Sequence, residues 1–107
     1  MNRSLLAILV LLIGGCARRD VSFDSKDPGG RIQAAINAAA ENDQTAIPGL
    51  IEMLDSDDPA ARFVAIGTLE RFTGQTFGYD FADPEWLRRE AVNRWVSWYD
   101  SRPDDDG

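Results

Sequence analysis

The residue with the most distinctive chemistry is Cys16, the only cysteine among the 107 residues of the chain. It follows Gly14, Gly15 and an unbroken apolar run over residues 5–13. A thiol can accept a covalent group, but a single cysteine cannot form a disulfide within the chain. The sequence also contains no histidine, which excludes a Cys/His zinc site and a Ser-His-Asp triad.

The segment before Cys16 has the layout of a secretory signal, with one early charge at Arg3 and the apolar run behind it. Nine helical residues span roughly 14 Å, about half of the ~30 Å hydrocarbon core, so the run is too short to cross a membrane. Residues 13–16 (IGGC) resemble the bacterial lipobox. This resemblance implies that residues 1–15 are removed as a signal peptide and that Cys16 is lipidated.

The same resemblance implies export and a lipid-anchored position in the cell envelope. Ala17 stands where an aspartate would favour inner-membrane retention, so the outer membrane is expected if the host is Gram-negative. Membrane lipid is then a partner through acylated Cys16, and no other cofactor is expected. Residues 17–30 are polar, contain Pro and Gly, and lack helical periodicity. We therefore predict that residues 16–30 are the lipidated cysteine and a flexible tether.

The charge of the chain argues against nucleic acid as a partner. Acidic residues outnumber basic ones by 18 to 11, which gives a formal net charge of −7. Such a surface repels phosphate backbones, although acidity is also a common route to solubility.

The carboxylates do not predict a catalytic or metal site. The acids near apolar stripes are Glu52, Glu70 and Asp80, and their spacing does not distinguish them from surface acids. The acidic turn over residues 55–58 lacks the glycine and the later glutamate of a calcium loop, because Pro59 follows directly. We therefore expect no enzyme activity, no catalytic residue and no metal ligand.

Apolar spacing from residue 31 onward is helical and predicts an all-α domain over residues 31–100, followed by a disordered acidic tail over 101–107. Two stripes at i, i+3, i+4, i+7 spacing mark the first two helices: Ile32, Ala35, Ile36 and Ala39, then Ile47, Leu50, Ile51 and Leu54. A third helix is expected from Pro59 to about Thr73, between an Asp58 cap and Gly74. A fourth is expected to begin with Asp83 as cap and Pro84 as its first residue.

Residues 46–69 resemble a HEAT repeat. Pro48 stands at the proline of the first helix of such a repeat, and Arg62, Ala65 and Leu69 stand at positions of its second helix. The resemblance implies a short α-solenoid of about four helices, arranged as two helix pairs. Solenoid repeats bury their faces on neighbours, so the end helices act as caps or the domain docks on another molecule.

The aromatic residues after position 71 are the candidates for partner binding. Phe77 and Tyr79 lie in a glycine-containing loop that could form a peptide-binding lip. The alternative is a plug, in which these rings fold over the core. Trp95 and Trp98 share the apolar stripe of the fourth helix, which favours a core position, whereas Trp86 lies off that stripe and is the better candidate for an exposed anchor.

Two functions remain open at this point. The favoured one is a membrane-anchored scaffold that binds a protein partner in the bacterial cell envelope. The alternative is a small structural lipoprotein that associates with itself and has no specific client.

Overall fold

The computed structural model describes residues 21–103, and the chain is all-α within that range. The four helices are α1 (Pro28–Glu41), α2 (Ile47–Met53), α3 (Pro59–Thr73) and α4 (Glu85–Asp100), with a short 3-10 turn at Gln44–Ala46. No strand occurs between residues 21 and 103. The predicted fold class, all-α with about four helices, is confirmed.

Helix α3 begins and ends where the sequence signals predict. The Asp58 carboxylate accepts the backbone N–H of Ala60 at 3.1 Å, and Pro59 occupies the first turn. At the other end Gly74 takes the left-handed conformation, with φ of 74°, which a residue with a side chain adopts only under strain. These local contacts explain why this helix could be predicted to the residue.

The core forms where α1 and α2 both pack against α3, and α4 packs against α2. Every helix contributes, through Ala35 from α1, Leu50 from α2, Leu69 from α3 and Trp95 from α4, all of which are fully buried. Full burial of a leucine-sized side chain stabilises the fold by about 1.5–3 kcal/mol. The four helices therefore share one continuous core.

The folded domain begins earlier than predicted. Helix α1 starts at Pro28, because the Asp27 carboxylate accepts the N–H of Gly29 at 3.1 Å and so caps the helix. Phe23 packs against the core, and Ser25 is buried. Residues 23–30 therefore belong to the domain and not to a flexible tether, which corrects the predicted boundary at residue 31.

The start of α4 also differs from the prediction. Pro84 takes the cap position with ψ of 153°, the helix begins at Glu85, and no side chain caps it. The backbone carbonyl of Asp83 instead accepts a hydrogen bond from the Arg88 guanidinium at 2.7 Å. The aspartate thus acts through its backbone, whereas we predicted capping by its side chain.

The apolar stripe of α4 is only partly buried. Ala91, Val92 and Trp95 lie in the core, whereas Val96 and Tyr99 are exposed. Trp98 is half-buried and packs against the core from outside. Of the two tryptophans expected in the core, Trp95 is therefore a full member and Trp98 a peripheral one.

Candidate protein-interaction surface

The loop between α3 and α4, residues 75–83, is fixed by side chains that donate to its backbone carbonyls. We call this segment the aromatic loop. The four donor–acceptor pairs are Trp95 Nε1 to Thr76 (2.9 Å), Arg94 Nε to Phe77 (2.8 Å), Arg62 Nε to Phe81 (3.1 Å) and Arg88 to Asp83 (2.7 Å). Hydrogen bonds from charged donors are about twice as strong as neutral ones. The aromatic loop is therefore a rigid part of the domain.

Arg62 is the most buried of the three arginine donors. Its guanidinium also donates to the backbone carbonyl of Ser56 at 2.9 Å, so one side chain joins the turn before α3 to the aromatic loop. A buried guanidinium needs such partners, because an unpaired buried charge is strongly destabilising. Arg62, which stands at the arginine position of the HEAT-like pattern, therefore donates to one backbone carbonyl before its own helix and to one after it in the chain.

Tyr79 lies in the core, with only 5% of its surface exposed. Its hydroxyl donates to the backbone carbonyl of Leu54 at 2.7 Å. Burial raises its pKa from 10.0 to about 12, and Arg62 and Arg88 oppose that shift only in part. The structure thus corrects the expectation that Tyr79 forms an accessible lip, because its ring and hydroxyl are both used inside the domain.

Phe77 is half-buried and packs its ring against two tryptophans. The ring centroids lie 4.7 Å from Trp95 and 5.9 Å from Trp98. Its backbone φ is 54°, an unusual value for a bulky residue. The Arg94 hydrogen bond to the Phe77 carbonyl helps to hold this conformation. Together Phe77 and Tyr79 match the plug alternative, in which the loop rings cover the core.

Trp86 is the candidate that the structure leaves accessible. It is 65% exposed in the first turn of α4, on the side of the helix opposite Trp95. An exposed, rigid indole is the kind of side chain that anchors protein interfaces. Its position agrees with the expectation that it lies off the buried stripe.

A groove that we did not predict from the sequence lies between the outer side of α3 and the aromatic loop. We call it the α3 groove. It is open, holds about 400 Å³, and is lined by Phe63, Ile66, Gly67, Glu70, Thr76, Tyr79, Asp80 and Phe81. Phe63 is 59% exposed, and its ring meets Phe81 edge-on at 5.0 Å. One sequence signal could have indicated the groove. Phe63, Gly67 and Glu70 stand at i, i+4 and i+7, a spacing that places them on one face of the helix.

The groove brings together two of the three acids noted in the sequence. Glu70 and Asp80 both line it, whereas Glu52 lines a separate cavity of about 230 Å³ together with Arg31 and Phe23. No group of three or more acidic, cysteine or histidine residues within 21–103 is placed to hold a metal ion. The turn acid Asp58 caps α3 instead.

Cys16, the predicted lipidation site, lies outside the described residues, as do the predicted signal peptide and the first part of the tether. No helix within the part of the chain that the structure describes is long and apolar enough to cross a membrane. Compared with known protein families, with curated proteins and with solved structures, the chain gives no significant match. The lipobox and HEAT resemblances therefore stay predictions.

Proposed function

We propose that this chain is an exported bacterial lipoprotein, anchored through lipid on Cys16, whose HEAT-like helical domain binds a protein partner in the cell envelope. The observation that carries the proposal is the exposure of Trp86 and Phe63 on a rigid domain. Exposed rings on a fixed scaffold can bind without a large ordering cost. No catalytic step is assigned.

The lipid supplies the location of the domain. Two or three acyl chains anchor a protein stably, since each buried CH₂ contributes about 0.8 kcal/mol and a single chain is marginal. In a double-membrane host, Ala17 after the cysteine favours the outer membrane.

The packed position of Phe23 limits how far the domain can lie from its anchor. The chain from Cys16 to Phe23 spans at most about 25 Å when fully extended. The proposal therefore places the domain close to the headgroups, where it meets partners that are themselves in or near the membrane. An anchored module of this kind gains effective concentration toward such partners.

The proposal can be tested by photo-cross-linking in cells, with a photoreactive residue replacing Trp86 or Phe63. Gln33 is the matched control, because it is an exposed residue on α1 and does not line the α3 groove. We expect membrane-associated adducts with a different protein from positions 86 and 63, and few from position 33. Adducts between copies of this chain alone would support the self-associating structural lipoprotein instead. Equal labelling from all three positions would contradict a specific interface.

A further inference from the structure

The walls of the α3 groove are fixed by contacts within the domain. Phe63 and Phe81 form one wall in edge-to-face contact at 5.0 Å, and Arg62 holds the Phe81 backbone. Tyr79 also lines the groove, and its hydroxyl bond to Leu54 fixes its ring. A site with walls held in this way binds without rearranging, which lowers the entropic cost of association.

Gly67 leaves open space in the lining of the groove because it has no side chain. A Cβ placed on Gly67 would have no neighbour within 4 Å, other than its own helix and chain neighbours. The volume of about 400 Å³ is near the lower end of the range for ligand sites, so it suits a short segment. The groove therefore accommodates one or two side chains of a partner and not a whole helix.

The lining combines aromatic rings, of which that of Phe63 is exposed, with negative charge. Phe63, Ile66 and Phe81 supply the apolar surface, and the charged residues of the lining are the acids Glu70 and Asp80. A guanidinium can stack on a phenylalanine ring and pair with a carboxylate at the same time. Phosphate-bearing ligands and anionic headgroups are disfavoured by the same two acids.

We infer that the α3 groove binds a short segment of a partner protein in which an arginine stands next to a large apolar residue. The inference rests on the proposed function and names the chemistry of its partner. The apolar side chain packs on Ile66 and Phe81, and the arginine stacks on Phe63 and pairs with Glu70 or Asp80. The overall charge of −7 favours a basic segment over longer distances as well.

A second copy of this chain is a poor occupant. Four of its guanidinium groups already donate to backbone carbonyls of their own chain, those of Arg31, Arg62, Arg88 and Arg94. Releasing one of them would break a charge-assisted hydrogen bond within the domain. Arg71 and Arg89 are exposed, so the like charge of two copies, and not a shortage of arginine, favours a different protein as the source of the arginine.

The test uses the mature full-length protein in detergent micelles as bait for a phage library of random octapeptides. The enriched peptides are then synthesised and titrated by fluorescence anisotropy. Two variants remove the site without entering the core, Gly67→Trp to fill the groove and Glu70→Lys to invert its charge. Gly67→Ala and Glu41→Lys are the matched controls, since Glu41 is an exposed acid at the end of α1 that does not line the groove.

We expect enrichment of peptides that pair arginine with an aliphatic or aromatic residue. Gly67→Trp and Glu70→Lys should each weaken their binding by about tenfold or more, corresponding to 1.4 kcal/mol or more, and the two controls should leave it within about twofold. Enrichment of acidic peptides, or equal binding to the parent and to Gly67→Trp, would overturn the inference. So would groove-dependent binding of anionic phospholipid vesicles.

The experiments give different results if the groove assignment is wrong and if the proposed function is wrong. If arginine-containing peptides do not bind the groove but position 86 cross-links to another protein in cells, the groove assignment is wrong and the proposed function stands. If the groove binds arginine-containing peptides but the mature protein carries no lipid, the anchor is wrong and the groove assignment stands.

Discussion

The hydroxyl of Tyr79 donates a 2.7 Å hydrogen bond to the backbone carbonyl of Leu54, a residue 25 positions earlier in the chain. Leu54 is the C-cap of α2, and the last carbonyls of a helix have no partner inside the helix. The bond therefore provides a donor for a carbonyl at the C-terminal end of α2, and it holds the aromatic loop against the core. It is a contact between distant parts of the sequence that helps to build the α3 groove.

Replacing this hydroxyl tests the contact. Tyr79→Phe keeps the ring but leaves the Leu54 carbonyl without its donor, so we expect a loss of about 1–2 kcal/mol in the free energy of unfolding. Urea titration of the parent and the variant measures it. Tyr99→Phe is the control, because Tyr99 is exposed and should change stability little. Equal effects of the two substitutions would contradict the assigned role of the Tyr79 hydroxyl.

The raised pKa of Tyr79 predicts a loss of stability in alkali. In the unfolded chain the phenol has its ordinary pKa of 10.0. In the folded chain its pKa is about 12. The contribution of this group to stability is therefore constant below about pH 10 and falls as the pH rises from about 10 to 12. Unfolding titrations across that range should show a smaller decline for Tyr79→Phe. An identical decline in the variant would show that other groups cause it.

The three tryptophans should differ in their contributions to stability. Trp95 is fully buried and donates to the Thr76 carbonyl at 2.9 Å, so Trp95→Ala should cost about 3–5 kcal/mol. Trp98 is half-buried, so its truncation should cost about 2 kcal/mol, and that of exposed Trp86 less than about 1 kcal/mol. Chemical denaturation of the three variants gives the order. A cost for Trp86→Ala as large as that for Trp95→Ala would contradict its assignment as an exposed anchor.

Replacing two helical glycines by alanine should change the stability of the domain in opposite directions. At Gly49 in α2, a Cβ would lie 2.7 Å from Cγ of Phe23, so Gly49→Ala forces that ring to move and should destabilise by about 1–3 kcal/mol. At Gly67 in α3 the space is open, so Gly67→Ala should stabilise by about 0.5–1 kcal/mol through helix propensity. Thermal and denaturant unfolding measure both.

A double-mutant cycle shows whether Phe23 causes the difference. In a Phe23→Ala background, Gly49→Ala should no longer be destabilising, because the ring that it meets is gone. If Gly49→Ala is as harmful without the ring as with it, the Phe23 ring is not packed on α2. The domain boundary would then return toward the predicted tether.

Local signals predicted much of the fold. Asp58-Pro59 and Gly74 predicted the first and last residues of α3 correctly, because caps and helix breakers act within one turn. The same Asp-Pro signal at Asp27-Pro28 was missed, since Gly29 and Gly30 have low helix propensity. Gly30 is buried in the domain, so packing outweighs that propensity.

The candidate surface was less predictable, because it depends on contacts between distant residues. The polar side of α4 identified Trp86 as exposed, but nothing near Tyr79 in the sequence indicates that its hydroxyl reaches Leu54. The α3 groove needs Phe63 and Phe81 side by side, and Arg62 brings this about by holding the Phe81 carbonyl. The pattern of residues on one face of a helix does not indicate which side chains of the following loop pack beside that face.

The mass of the mature N-terminus, measured by mass spectrometry on protein from the membrane fraction, decides most directly whether this domain is a lipid-anchored module. We expect a chain that begins at Cys16 and carries a diacylglyceryl group on the thiol, with an N-acyl chain where the host adds one. Cys16→Ser should remove that mass and release the protein from the membrane. A mature chain that starts at another residue, or an unmodified Cys16, would contradict the lipoprotein account.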